Sequence, residues 1–330
     1  MKKIALVGCT GAVGMTMLEL LSGTTCYEII CMASDRSANR MLECNGSQFI
    51  VEPFSPEACA SCDVVFLCVS GDFSKQYAKC LAKNSIVIDN SSAYRYEDEV
   101  PLLVPPINAD VYKGERLIAN PNCSSAIGLM VLGPLHKAFH LESVIASTYQ
   151  AASGAGYEAM SELVEKIKVF DSYGIDNQSK SFPHNLAFNV IPQVDKFEDN
   201  LYTKEEMKIV WELRKVLGLP NLLISATAVR VPTLRSHAIS LSVKFSKSIS
   251  SLELVKNLLA ACEGVNVVDD PQRSAYPMPM TSTNKHYVEV GRIRKNLIYG
   301  DFGLDLFVCG DQLLRGAALN AFEILKLSVG

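Results

Sequence analysis

The stretch NPNCSSAIGLMVLGPL, residues 120–135, carries one thiol, Cys123, between a proline turn and an apolar, helix-forming run. A thiol in the first turn of a helix ionises readily, because unpaired backbone N–H groups and the helix dipole favour the thiolate. A thiolate can add to a carbonyl carbon and hold an acyl group as a thioester. A small core cysteine would also suit the position, and these residues alone leave both readings open.

A second group lies near the N-terminus. GCTGAVG, residues 8–14, spaces Gly8, Gly11 and Gly14 three apart around Thr10, Ala12 and Val13. Glycines let backbone approach a pyrophosphate, and a helix start supplies N–H groups and positive dipole. Tight packing is the alternative. The segment ASDRSANR, residues 33–40, ends the next apolar run, where an adenosine ribose would lie. Asp35 suits the ribose hydroxyls of NAD. Ser34, Arg36, Ser37 and Arg40 suit the extra phosphate of NADP, and they outnumber the carboxylate.

A thiolate and a nicotinamide cofactor together define a chemistry. The thiol adds to an aldehyde, hydride leaves, and a second nucleophile splits the thioester. That sequence needs a proton shuttle. The chain has 5 histidines. His136 and His140 are four apart on a helix and read as surface residues. His237, in AVRVPTLRSHAIS, stands with Arg230 on either side of a proline turn between two strands. It is the candidate shuttle, and a structural histidine at a strand start is the alternative. The pair Cys59 and Cys62 in CASC has no second pair and no histidine near it. It reads as structural, in a loop before a strand, and no metal is expected.

The elements that must position these groups follow from periodicity. Short apolar runs at 3–8, 27–34, 63–70, 85–92 and 116–123 read as buried strands. Helical spacing at 12–23 and around 74–83 separates some of them. Strands alternating with helices imply a doubly wound parallel sheet. After Cys123 the pattern changes. Helices are expected at 123–138, 156–168 and 204–217, with a last one at 312–327. Strands are expected at 142–150, 222–231 and 237–246, with a hairpin within 285–310. The fold class is therefore α/β: a doubly wound dinucleotide-binding domain plus an α+β catalytic and dimerisation domain with a mixed sheet. The boundaries expected are 1–122 with 308–330, and 123–307.

Bulk properties narrow the partners. The 330 residues are 48% hydrophobic, enough for sizeable cores. The net charge is -4 and the pI about 5.8, so nucleic acid is not an expected partner. The 11 cysteines, an odd number, sit mainly in apolar segments. That pattern suits reduced thiols in a cytoplasmic protein. No apolar run reaches the ~18 residues a membrane span needs.

GCTGAVG, ASDRSA, DNSSAYR, NPNCS, STYQAASGAG, RVPTLRSH and DQLLRGAALNAFEI occur in this order along the chain. In that order and at those intervals they resemble the bacterial type of the aspartate-β-semialdehyde dehydrogenase family. The resemblance implies a homodimer that uses NADP and reductively dephosphorylates β-aspartyl phosphate to aspartate semialdehyde, on the route to lysine, threonine and methionine. It implies Cys123 as nucleophile, with Asn122 shaping the acyl site and Gln150 orienting the substrate. His237 would be the general acid/base, and Arg230 would hold the α-carboxylate. Arg95 and Lys208 would bind phosphate, and Glu205 would meet the substrate's ammonium. Ser153 and Gly154 would lie near the nicotinamide, and Asn320 near the cofactor. Read without the resemblance, Arg95, Glu205 and Lys208 are solvated surface charges.

Three features depart from the family pattern. Asp35 lies in the segment expected to receive the 2′-phosphate. Pro106 stands where the family has a glutamate. The stretch 164–182 is short. The rival activities are an N-acetylglutamyl-phosphate reductase, a non-catalytic dinucleotide-binding protein and a cysteine hydrolase.

Overall fold

A computed structural model describes residues 1–169 and 178–329. The described chain divides into two compact units, Met1–Asn122 with Gly316–Gly330, and Cys123–Arg315.

The first unit opens with β1 (Lys2–Val7), α1 (Ala12–Ser22) and β2 (Tyr27–Ala33). A hairpin follows, β3 (Met41–Cys44) and β4 (Ser47–Pro53), then α2 (Pro56–Ala60) and β5 (Val64–Leu67). The rest of its N-terminal segment is α3 (Gly71–Leu81), β6 (Ile86–Asp89), α4 (Pro105–Asn108) and β7 (Leu117–Ala119). The sheet order is β3-β4-β2-β1-β5-β6-β7, parallel throughout except for the β3–β4 pair. β1 is central, and its Ile4, Ala5 and Leu6 are wholly buried, as a strand covered on both faces requires. The chain leaves β1 for β2 on one side and later adds β5 on the other. The glycine turn after β1 therefore sits at the switch point, where open α/β sheets bind ligands.

The β3–β4 hairpin was not among the expected strands. Its signal is local: Asn45 and Gly46, both at positive φ (50° and 74°), form the turn between MLEC and SQFIVEP. Asn-Gly is the pair that such a tight hairpin favours. Cys59 also departs from expectation. It lies in helix α2, not in a loop, and both Cys59 and Cys62 are buried in the core.

The second unit begins with α5 (Cys123–Phe139), β8 (Leu141–Gln150), α6 (Tyr157–Lys168) and α7 (Lys204–Leu217). Next come β9 (Leu223–Arg230), β10 (His237–Phe245), α8 (Leu252–Ala260) and β11 (Val265–Val267). It closes with α9 (Pro279–Ser282), β12 (Val288–Asn296) and β13 (Gly300–Gly310). Its sheet runs β11-β12-β13-β10-β8-β9 and is mixed: β8–β9 and β11–β12 are parallel, the other pairs antiparallel. Burying side chains such as Leu241, Val243 and Phe245 on β10 contributes about 1.5–3 kcal/mol each. Helix α7 starts with a full capping box between Thr203 and Glu206. Glu206 also accepts the Ala228 N–H at 2.9 Å, which ties the helix start to β9.

The chain returns to the first unit at 316: β13 stays paired with β10 as far as Gly310, and Asp311 and Gln312 still accept the N–H groups of Asn284 and Ser236 in the second unit. The last helix is also shorter than expected. Residues Leu314–Ala318 wind as a π-helix before α10 (Leu319–Val329) begins. Part of the short stretch 164–182 lies outside the described residues.

Candidate active site

In the second unit, the end of β8, the start of α7 and the ends flanking the β9–β10 turn bring one set of side chains together. Gln150 is the last residue of β8 and is buried. Its Nε2 donates to Ser124 Oγ at 3.0 Å, to Glu205 Oε1 at 3.2 Å and to Thr148 Oγ1 at 3.3 Å. Ser124 follows Cys123, the first residue of α5. Glu205 and Lys208, one turn apart on α7, pair at 3.0 Å. Lys208 also meets Asp195 at 2.8 Å. The surface reading of these charges fails: the Glu205 side chain is 7% exposed and that of Lys208 14%. Burial pulls the Lys208 ammonium down, but Glu205 and Asp195 outweigh it and hold its pKa above the ordinary value.

Arg230 ends β9, buried, with Nη1 donating to the Ala151 carbonyl at 2.7 Å. The ring of Phe182 lies 5.8 Å from its guanidinium carbon. Burial lowers its pKa, and Glu205 and Cys123 oppose that shift.

His237 opens β10 and is wholly buried. Its Nδ1 accepts the Ala151 N–H at 3.1 Å. The neutral ring therefore carries its proton on Nε2, and that nitrogen has no hydrogen-bond partner among the described residues. Burial, then the Arg230 charge, pushes the His237 pKa down to about 3. The imidazole is a neutral Nε2–H donor. Residue 151 thus serves both groups, its N–H orienting the imidazole and its carbonyl the guanidinium. Gly154 faces the same place. A Cβ there would sit 2.8 Å from Arg230 Nη1 and 3.3 Å from His237 Nε2, so a side chain would crowd both.

One supporting residue was missed. Gln312 accepts the Ser236 N–H at 2.7 Å and donates to Ser153 Oγ, linking the residue before His237 to the loop after Gln150. Ser236 is held at φ 70°, a costly conformation for serine. The signal was in view, since Gln312 is the second residue of DQLLRGAALNAFEI.

In the first unit, Gly8 and Cys9 both donate their N–H groups to Met32 O, which pins the glycine turn against β2. A Cβ on Gly8 would lie 2.2 Å from Cys68 O, and one on Gly14 2.2 Å from Gly8 O. A Cβ on Gly11 would meet only Gly8 O, at 3.5 Å. Helix α1 has no side-chain cap and no acidic residue in its first turn. Its leading N–H groups are thus left by the side chains for an anion, and the turn with Thr10, Ala12 and Val13 fits a pyrophosphate. Ser34, Arg36 and Arg40 are exposed after β2, and Ser37 N–H closes a turn on Ser34 O.

Arg95 is buried, and its Nε and Nη2 donate to the carbonyls of Asn120 and Asn90, both at 2.8 Å. Asn122, also buried, is the last residue of this unit's N-terminal segment. Asn320 is fully buried, with its amide donating to Leu103 O at 2.8 Å and Asn120 Oδ1 at 2.7 Å. Its bonds fix the segment that leads to Cys123. All eleven cysteines are free thiols. Among the described residues no cluster of His, Cys, Asp or Glu is arranged to hold a metal. No described helix is long and apolar enough to cross a membrane.

Comparison with known proteins gives consistent matches. Residues 3–115 match the family described as semialdehyde dehydrogenase, NAD binding domain, and residues 132–315 match its dimerisation domain. The aspartate-semialdehyde dehydrogenase of Campylobacter jejuni is 42% identical, over 98% of this chain and 96% of its own. That of Bacillus subtilis is 39% identical, over 98% and 96%. Among solved structures, aspartate semialdehyde dehydrogenase II of Vibrio cholerae, complexed with ASA, superposes with a TM-score of 0.92 at 34% identity, covering 99% of this chain and 98% of that one. The Candida albicans enzyme with NADP gives 0.76 at 25% identity, covering 99% of each.

Proposed function

The chain belongs to the aspartate-semialdehyde dehydrogenase family, and from that premise we propose that it is the NADPH-dependent enzyme that reductively dephosphorylates β-aspartyl phosphate to aspartate semialdehyde. The observation that carries this reading is the set Gln150, Glu205, Arg230 and His237, all buried, with the half-buried Lys208, gathered in the unit that Cys123 opens.

Cys123 thiolate attacks the acyl carbon, the acyl–phosphate bond breaks, and phosphate leaves with its electron pair. Lys208 holds that phosphate. Arg230 binds the α-carboxylate, a task that suits a planar guanidinium. Glu205 binds the ammonium, and Gln150 fixes the acyl group. Bound at the glycine turn, NADPH would supply the hydride that converts the thioester to the thiohemiacetal oxyanion. His237 Nε2–H then hydrogen-bonds the carbonyl-derived oxygen as charge builds there. The C–S bond breaks, the aldehyde leaves, and the thiolate is restored. The reverse direction oxidises the aldehyde and uses phosphate to release the acyl group.

Ser34, Arg36, Ser37 and Arg40 support NADP over NAD, with Asp35 as the opposing feature. A homodimer built through the second unit accords with the dimerisation-domain match, and free thiols accord with a cytoplasmic protein. The buried Glu205 disfavours the N-acetylated rival, since a carboxylate gains little from an amide. The test follows nicotinamide absorbance with aspartate semialdehyde or N-acetylglutamate semialdehyde, with and without phosphate, using NADP and NAD. Phosphate-dependent reduction of NADP by aspartate semialdehyde is the expected result. Turnover of the acetylated aldehyde instead, or none, would refute the assignment.

A further inference from the structure

Asp195 was not among the expected site residues, yet its geometry is built. Its backbone is left-handed, φ 71°, where aspartate is tolerated at some cost. Oδ1 accepts the N–H of Lys196 at 2.9 Å, and Oδ2 accepts Lys208 Nζ at 2.8 Å. One oxygen is thus anchored to the main chain while the other points at the ammonium. The Gln193 amide bonds the Asp195 carbonyl at 3.3 Å, holding the turn from a third side. Backbone strain kept in place by several contacts is a common mark of a functional position.

Lys208 has three N–H donors. One goes to Asp195 and one to Glu205, which leaves a third for another anion. Glu205 is the carboxylate assigned to the substrate's ammonium. When substrate engages it, Glu205 is shared, and Asp195 is the contact that keeps the lysine aimed. We propose that Asp195 is the positioning residue of the phosphate step: it holds Lys208 in place while Glu205 is shared with substrate. This rests on the reading of Lys208 as a phosphate ligand. Without Asp195 the ammonium loses its second anchor while Glu205 is engaged by substrate, and phosphate loses an oriented N–H.

The test is phosphate-dependent oxidation of aspartate semialdehyde, varying phosphate at saturating aldehyde and NADP, then varying aldehyde. Asp195→Gly and Asp195→Asn both suit a left-handed backbone, so the turn should persist. In each the KM for phosphate should rise about tenfold, the scale of one charge-assisted hydrogen bond. The KM for the aldehyde and the melting temperature should stay near the parent values. Lys208→Met should raise the phosphate KM at least as far, and adding Asp195→Gly to it should change nothing more, because the two act as one unit. If Lys208→Met leaves the phosphate KM unaltered, the phosphate role of Lys208 is wrong. If it raises that KM but the Asp195 variants leave it unchanged, lower it, or add fully to Lys208→Met, the role of Asp195 is overturned. A parallel rise in both KM values with a lower melting temperature would show a structural role only.

Discussion

Asn90, Arg95, Asn120 and Asn320 make a polar cluster in the first unit, and Gln150, Glu205, Lys208, Arg230 and His237 make another in the second. The first directs most of its donors to main-chain carbonyls: Asn90 and Asn120 from Arg95, Ala317 from Asn120, and Leu103 from Asn320. Such bonds fix the path of the chain. The second sets charge against charge, with Lys208 between two carboxylates, and leaves His237 Nε2 unpartnered. A buried polar atom without a partner costs about 1–3 kcal/mol, and in this cluster that atom is the imidazole N–H proposed to meet the substrate oxygen. On the proposed reading the difference separates support from chemistry better than residue type does, because amides, arginine and burial occur in both.

The largest effect should come from Cys123, and it breaks the comparison if absent. Cys123→Ser should lower turnover on the order of 10⁴-fold, because a serine hydroxyl ionises far less readily than a thiol at the same helix start. NADPH binding, measured by fluorescence titration, should persist. Iodoacetamide labelling across pH, mapped by peptide mass, should modify Cys123 well before Cys59, whose thiol burial pushes up to about 12. Equal labelling of the two, or an active serine variant, would overturn the assignment.

His237 comes next. His237→Ala should lose about 10²–10⁴-fold in kcat/KM, and His237→Gln, which returns an N–H near Nε2, should recover part of it. The same residue sharpens the comparison through pH. Its folded-state pKa, about 3, lies below the ordinary 6.5, so as pH falls the unfolded chain takes up the proton first. The stability this contributes is complete above pH ~6.5 and is lost as pH falls through the folded value, at about 1.4 kcal/mol per pH unit inside that window. Denaturant unfolding between pH 6.5 and 4.5 should show a shallower loss for His237→Gln than for the parent. Matching slopes would mean the imidazole is not held neutral.

A smaller effect is expected where the first unit faces solvent. Reversing Arg36 and Arg40 to glutamate should weaken NADP at least about tenfold while sparing NAD, since each charge-assisted contact contributes about 1.5–3 kcal/mol. Equal weakening of both cofactors would remove these arginines from the phosphate site. The smallest effect should follow Asn320→Ala. It strands two buried acceptors at about 1–3 kcal/mol, which should appear as a melting temperature lower by several degrees with kcat within a few-fold. If kcat collapsed with stability intact, the supporting cluster would have to be regrouped with the reacting one.

Much of this arrangement was legible in the chain. The strand–glycine turn–helix at 3–23 was, because the apolar period switches at Gly8 and glycine permits its φ of 85°. Helix α7 was, since Thr203 and Glu206 make a local capping box, and so was the pairing of Glu205 with Lys208, since three residues make one turn. The β3–β4 hairpin is announced by Asn45-Gly46, but its strands carry only a weak apolar signal, with Met41 and Ile50 exposed on it.

Other features needed the fold. Burial of Glu205 and Arg95 has no local signature, because a charged side chain is solvated until distant elements cover it. The boundary at 316 depends on β13 pairing with β10 to Gly310 and on Asp311 and Gln312 bonding Asn284 and Ser236 beyond it. The His237 tautomer depends on the N–H of Ala151, eighty-six positions away in sequence. The anchoring of Lys208 by Asp195 depends on a turn whose left-handed residue no pattern announces. Residue types, periods and caps act over a few neighbours and so are written along the chain. A proton's location and a buried charge's partner are decided by groups that meet only after folding.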